Sequence, residues 1–101
     1  MRIAVIGDYE SSQYADMLQR VKIIFPGENV LNLSCFTGDW KKKADARLEA
    51  IFSSHLVIIC ADWDRFTDAK IDITRAQKFN KECLINIDGR FLSFPEYGRK
   101  W

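Results

Sequence analysis

Apolar positions along the chain fall into short unbroken runs separated by longer stretches of helical spacing. Ile3 to Ile6 form a wholly apolar run ended by Gly7, the pattern of a strand buried on both faces. Ser11 and Ser12 can cap a helix. Beyond them Tyr14, Met17, Leu18, Val21 and Phe25 recur at helical spacing until Pro26-Gly27 stops the pattern. Val30, Leu31 and Leu33 suggest a second short strand, followed by a loop carrying Cys35, Phe36, Thr37 and Gly38. Asp39 is the expected cap of a second helix starting near Trp40, with Ala44, Leu48, Ile51 and Phe52 as its apolar face. Leu56 to Cys60 is the clearest strand, apolar throughout, and Ala61 to Asp68 a polar loop at its end. A third helix is predicted from Ala69 to Asn80, with Ile73, Ala76 and Phe79 on one face. Cys83 to Ile87 makes a fourth strand closed by Asp88-Gly89. The tail from Arg90 to Trp101 is rich in aromatics and has no clear period.

The resulting order, β-α-β-α-β-α-β plus a tail, implies an α/β domain spanning 1–101. The expected architecture is a small flavodoxin/Rossmann-like three-layer sandwich, a four-stranded parallel sheet with helices on both faces, since right-handed crossovers leave few other topologies. In such sheets ligands bind beyond the carboxyl ends of the strands. That rule points to Gly7-Asp8-Tyr9, to Ser34–Asp39 and to Asp62–Asp68.

Charge narrows the partners. With 15 basic and 14 acidic residues the net charge is +1, which argues against a nucleic-acid polymer as partner. The Lys41-Lys42-Lys43 run reads as a solvated helix face. No apolar run approaches the ~20 residues of a membrane span, and MRIAVIG turns polar too soon for a signal peptide. The cysteines, Cys35, Cys60 and Cys83, are odd in number and far apart. Cys60 and Cys83 read as small buried hydrophobes, and a reducing cytoplasmic location is expected. His55 stands alone before a buried strand, so it reads as structural, and no metal site is expected. There is no GxGxxG and no Walker motif, so neither a dinucleotide cofactor nor ATP hydrolysis is expected, and no cofactor is assigned.

The densest polar cluster is Asp62, Trp63, Asp64, Arg65, Thr67 and Asp68, followed by Asp72 about one turn into the third helix. Carboxylates crowded in one crevice can push their pKa values apart, as acid–base chemistry requires. The plainer reading is a solvated loop whose acids favour a helix N-terminus.

The stretch Ala61-Asp62-Trp63-Asp64 through Asp72-Ile73-Thr74-Arg75-Ala76 resembles the signature of the nucleoside 2-deoxyribosyltransferase superfamily. In that signature a Gly-Trp-Glu motif is followed by Gly-Ala, a glutamate and a later alanine. Trp63, Asp64, Ala69, Asp72 and Ala76 fall on its positions without a gap. Ser54 to Ile58, Asn80 to Ile85 and Ile3 to Tyr9 are similar to its strand entries. The chain departs from the pattern at Asp72, where the family has its catalytic glutamate, and at Asp62, Asp68 and Asn80, where it has glycines.

The resemblance implies binding of a nucleoside or nucleotide. It also implies hydrolysis or transfer at an N-glycosidic bond through a carboxylate nucleophile. Asp72 would be the nucleophile and Asp64 or Asp68 the proton donor or sugar ligand. Tyr9 would fix or activate Asp72, and Trp63 would stack on the base. Gly7, Asp8 and Ser11, at the first turn, would serve a phosphate or sugar hydroxyl, with simple helix capping as the competing role for the serines. The alternative is a non-catalytic nucleotide-binding or protein-interaction module on the same fold. Phe91, Phe94, Tyr97 and Trp101 in the tail need burial, on the sheet edge or in a second subunit. A homodimer is the expectation.

Overall fold

The computed structural model describes residues 1–94; Tyr97 and Trp101 of the tail lie outside the described residues. Strand β1 (Arg2–Ile6) is followed by α1 (Ser12–Ile24), β2 (Asn29–Leu31), α2 (Trp40–Ser53), β3 (Leu56–Ile59), α3 (Thr67–Lys78), β4 (Glu82–Ile87) and β5 (Arg90–Ser93). The α/β class and every helix and strand predicted from the periodicity are present. The sheet, however, has five strands in the order β2-β1-β3-β4-β5 and is mixed, not four-stranded and parallel. The pairs β1–β2, β1–β3 and β3–β4 run parallel, and β5 pairs antiparallel with β4.

The fifth strand begins in the tail that showed no period. Asp88 and Gly89 both take positive φ, 52° and 81°, so they form a two-residue turn joining Ile87 to its partner Arg90. Positive φ at both central residues is what lets a two-residue hairpin follow the strand twist, and Asp-Gly is the pair that tolerates it.

Strand β1, paired with β2 on one side and β3 on the other, is buried on both faces. Ile3 and Val5 point into one core with Tyr14, Leu18 and Val21 of α1. Ala4 and Ile6 point into another with Ile51 of α2 and Ala69, Ile73 and Ala76 of α3. Burial on both faces is why the run is apolar throughout. The α2 face differs from expectation: Ala44, Arg47 and Ile51 are its buried residues. Phe52 is 63% exposed and rests edge-to-face on Phe79, 5.1 Å between ring centroids.

Local signals set the ends. Ser11 caps α1, its side chain accepting from the Tyr14 N–H, and Asp39 caps α2 by accepting from Lys42 N–H. Asn80 stands at φ 56°, and Lys81 N–H returns to Ala76 O to close α3. A short polar side chain suits that left-handed position. His55 Nδ1 accepts from Arg2 N–H at 3.0 Å, linking the start of β1 to the residue before β3. No helix among the described residues is long and apolar enough to cross a membrane. All three cysteines are free, with Cys60 and Cys83 buried.

Candidate functional site

From β1 the chain passes to β2 on one side, and from β2 it crosses back over β1 to β3 on the other, so the order reverses between β1 and β3. A crevice opens at the carboxyl ends of such strands. Here the turn Gly7-Asp8-Tyr9 divides that edge into two clefts, both touching Asp8. The larger, about 480 Å³, lies on the α2/α3 side. Tyr9 and Arg47 line it, with Phe36, Trp40 and Phe66 as aromatic walls and Lys43 and Arg65 as further cations.

Gly7 is required by close packing. A Cβ there would fall 2.7 Å from Cys60 Sγ and 2.9 Å from Cys60 Cβ, nearer than atoms tolerate. Burial pushes the Cys60 thiol up to about 12, with Asp62 adding to the shift, so it stays a neutral packing group. Tyr14 ties the turn region down. Its hydroxyl donates to Val5 O at 2.7 Å and accepts from Leu33 N–H at 3.0 Å. Burial raises its pKa above the usual phenol value.

Beneath the larger cleft lies a buried polar cluster. Asp72, in the stripe of α3 that carries Ala69, Ile73 and Ala76, is 0% exposed. Its Oδ2 accepts from Tyr9 Oη at 2.6 Å and from Arg47 Nε at 2.7 Å. Arg75 Nη1 stands 3.9 Å from Oδ1, which has no hydrogen-bond partner among the described residues. Arg47, 5% exposed, places its guanidinium 5.1 Å from the centroid of the Tyr9 ring. Burial is the largest influence on Asp72 and raises its pKa, while the Tyr9 hydrogen bond and Arg47 pull it back. Burial and the adjoining carboxylate push the Tyr9 phenol well above its ordinary value, so Tyr9 remains a donor.

Tyr9 and Asp72 are therefore brought together as the sequence suggests. Asp68 joins them at the rim, where its Oδ1 accepts from Trp40 Nε1 at 3.3 Å and meets Arg47 Nη2 at 3.8 Å. A carboxylate where the resembled pattern has glycine thus acts as a tether between the first turns of α2 and α3. Asp8 borders both clefts, its Oδ1 accepting from Glu10 N–H at 3.2 Å. Ser11 caps α1, and its hydroxyl also donates to Asp8 O at 3.0 Å.

Asp64 and Trp63 are placed elsewhere. Both belong to a one-turn 3₁₀ helix, Trp63–Arg65, and neither lines either cleft. Asp64 is exposed. Trp63 packs edge-to-face on Phe94, 5.3 Å between centroids, on the α2/α3 side of the core. Phe94 is buried and Phe91 packs on Phe25 at 6.1 Å. Two of the tail aromatics that suggested a second subunit are thus accommodated within the chain.

The residue that sequence reasoning missed is Arg47. The signal was present: it sits three residues after Ala44 and four before Ile51, on the buried stripe of a helix. An arginine on such a stripe demands a carboxylate partner. No group of acidic, histidine or cysteine side chains among the described residues is arranged to hold a metal ion. No family model matches the chain, and neither a curated protein nor a solved structure does.

Proposed function

We propose that this chain binds a nucleoside or nucleotide in the cleft above Tyr9 and Arg47. The carrying observation is the cleft's composition: aromatic walls from Phe36, Trp40 and Phe66 beside the cations Lys43, Arg47 and Arg65, at the carboxyl end of β1. Flat apolar walls suit a base, and cations suit a phosphate or sugar oxygens. A volume of about 480 Å³ lies within the usual range for small-molecule sites. The strand order β2-β1-β3-β4 and the two cores on opposite sides of β1 support a flavodoxin/Rossmann-like three-layer arrangement, whose ligands bind at this edge. Calorimetric titration with a panel of nucleosides and their 5′-monophosphates tests the reading. Saturable binding weakened about tenfold by Trp40→Ala and Lys43→Ala together supports it. Absence of saturable heat at millimolar ligand refutes it.

A second reading, cleavage or exchange of an N-glycosidic bond, is favoured by the Tyr9–Asp72 hydrogen bond of 2.6 Å. It accords with the resemblance to the deoxyribosyltransferase superfamily. The Asp72 carboxylate would attack the anomeric carbon as the base departs with a proton from Asp68, which lines the cleft, and water or a second base would then cleave the glycosyl ester and return a proton to Asp68. Asp72 is 0% exposed and engaged by Arg47, so this chemistry needs Tyr9 and Arg47 to move aside when substrate binds. Aspartate is also one methylene shorter than glutamate, and a misplacement of about 1 Å costs ~100-fold in rate. Chromatographic detection of free base after prolonged incubation decides between the readings. Release abolished by Asp72→Ala supports glycosyl chemistry. Binding without release leaves the non-catalytic module.

A further inference from the structure

The cations of the larger cleft are matched by acids. Asp8, Glu10 and Asp68 line it beside Lys43, Arg47 and Arg65. Arg47 is also engaged from beneath, its Nε donating to Asp72 Oδ2 at 2.7 Å. With Asp72 included, the carboxylates around the cleft outnumber its cations. The walls therefore offer hydrogen bonds without a surplus of positive charge, and a doubly charged phosphate gains little Coulomb energy by entering.

Asp68 tips that balance because of where it stands. It lies in the first turn of α3, at the helix end that favours an anion. Its Oδ1 accepts from Trp40 Nε1 at 3.3 Å and lies 3.8 Å from Arg47 Nη2, too far for a hydrogen bond and near enough for attraction. The Arg47 side chain is 6% exposed and that of Asp68 44%, so the carboxylate stands on the solvent side of the guanidinium. Arg47 cannot turn to another anion without leaving Asp72. A phosphate approaching this guanidinium and this helix end meets a carboxylate already in place.

We propose that Asp68 is the specificity-determining residue of this cleft, a built-in anion beside Arg47 that makes it select an uncharged nucleoside over the same nucleoside carrying a 5′-phosphate. This role rests on the binding reading given above and adds the direction of the selection. Asparagine at position 68 keeps an oxygen for the Trp40 indole while removing the charge, so Asp68→Asn separates charge from tether. Removing one like charge a few ångströms from a phosphate at a partly screened site shifts affinity about tenfold.

The test is calorimetric titration of the full chain with adenosine, guanosine, cytidine and thymidine, each beside its 5′-monophosphate. The parent should bind a nucleoside severalfold more tightly than its monophosphate. Asp68→Asn should move the ratio of the two affinities about tenfold toward the monophosphate. Asp88→Asn, in the wall of the smaller cleft with Asp16, changes the net charge equally and should leave the ratio unmoved. Raising salt from about 50 mM to about 500 mM should narrow the parent's preference, because screening weakens the repulsion. Binding of both ligands with the ratio unaltered in Asp68→Asn, or altered equally in Asp88→Asn, overturns the role of Asp68 and leaves the binding reading standing. No saturable binding of either ligand overturns both.

Discussion

Arg47 and Asp72 meet in the interior, Nε to Oδ2 at 2.7 Å, each from the buried stripe of its own helix. Neither would survive burial alone, because an isolated charge loses its hydration without recompense. The pair joins α2 to α3 directly under the larger cleft and fixes where Tyr9 lies. Arg47→Met should therefore destabilise the fold by about 3–5 kcal/mol, leaving a buried carboxylate without its cation. Adding Asp72→Asn should recover more than half of the loss. Urea denaturation of the two single variants, the double variant and the parent measures the coupling. Strict additivity would show that the two groups do not depend on each other.

The same carboxyl predicts a pH dependence. Asp72 has its pKa raised in the folded chain above the ordinary 3.8, chiefly by burial. Its contribution is fully present below the unfolded value and declines as pH rises through the folded one, since the folded state there holds the proton more firmly. Relative to Asp72→Asn, the parent should lose stability as pH increases from about 4 upward. Tyr9→Phe removes a hydrogen bond that lowers this pKa, so the declining window should extend to higher pH. Urea midpoints measured between pH 3 and pH 7 give the slope. A parent that gains stability over the variant with rising pH contradicts the assignment.

Gly7 makes a steric prediction. Alanine there brings a Cβ within 2.7 Å of Cys60 Sγ, and the rigid end of β3 gives little room for relief. Gly7→Ala should cost about 1–3 kcal/mol, the usual range for overpacking. Cys60→Ala in the same chain should restore part of it, since only the Sγ contact is removed. Thermal unfolding of the three variants reads this out, and an unchanged melting temperature for Gly7→Ala would refute the close approach.

The hairpin makes another. At φ 81° an alanine in place of Gly89 is strained, so Gly89→Ala should destabilise by about 1 kcal/mol. Asp88→Asn should be neutral, because asparagine accepts the same geometry. Loss of amide-exchange protection along Arg90–Ser93 in the glycine variant, and not in the asparagine one, is the expected pattern.

The hairpin also shows how far the sequence could be read. The parallel strands announced themselves because burial on both faces makes them apolar throughout, as in Ile3 to Ile6 and Leu56 to Ile59. The edge strand Arg90–Ser93 alternates between exposed and half-buried, a weak signal over four residues. The Asp88-Gly89 pair was its one strong marker, legible as a turn joining two strands rather than as a stop. At the site, Tyr9, Asp68 and Asp72 were visible because their places follow from strand ends and helix phase. Arg47 was hidden among apolar residues of α2. Trp63 was legible as a tryptophan after a strand, but its orientation toward Phe94 depends on a tail contact that spacing does not reveal.

The central claim is that the cleft above Tyr9 and Arg47 receives a nucleoside or nucleotide. Its most direct test is titration of the nitrogen-15-labelled chain with nucleoside 5′-monophosphates, followed by amide and indole resonances. Saturable shifts are expected at Tyr9, Phe36, Phe66 and the Trp40 indole N–H, with Asp16 and Asp88 unmoved. Absence of saturable shifts at millimolar ligand, or shifts confined to the Asp16–Asp88 side, would contradict it.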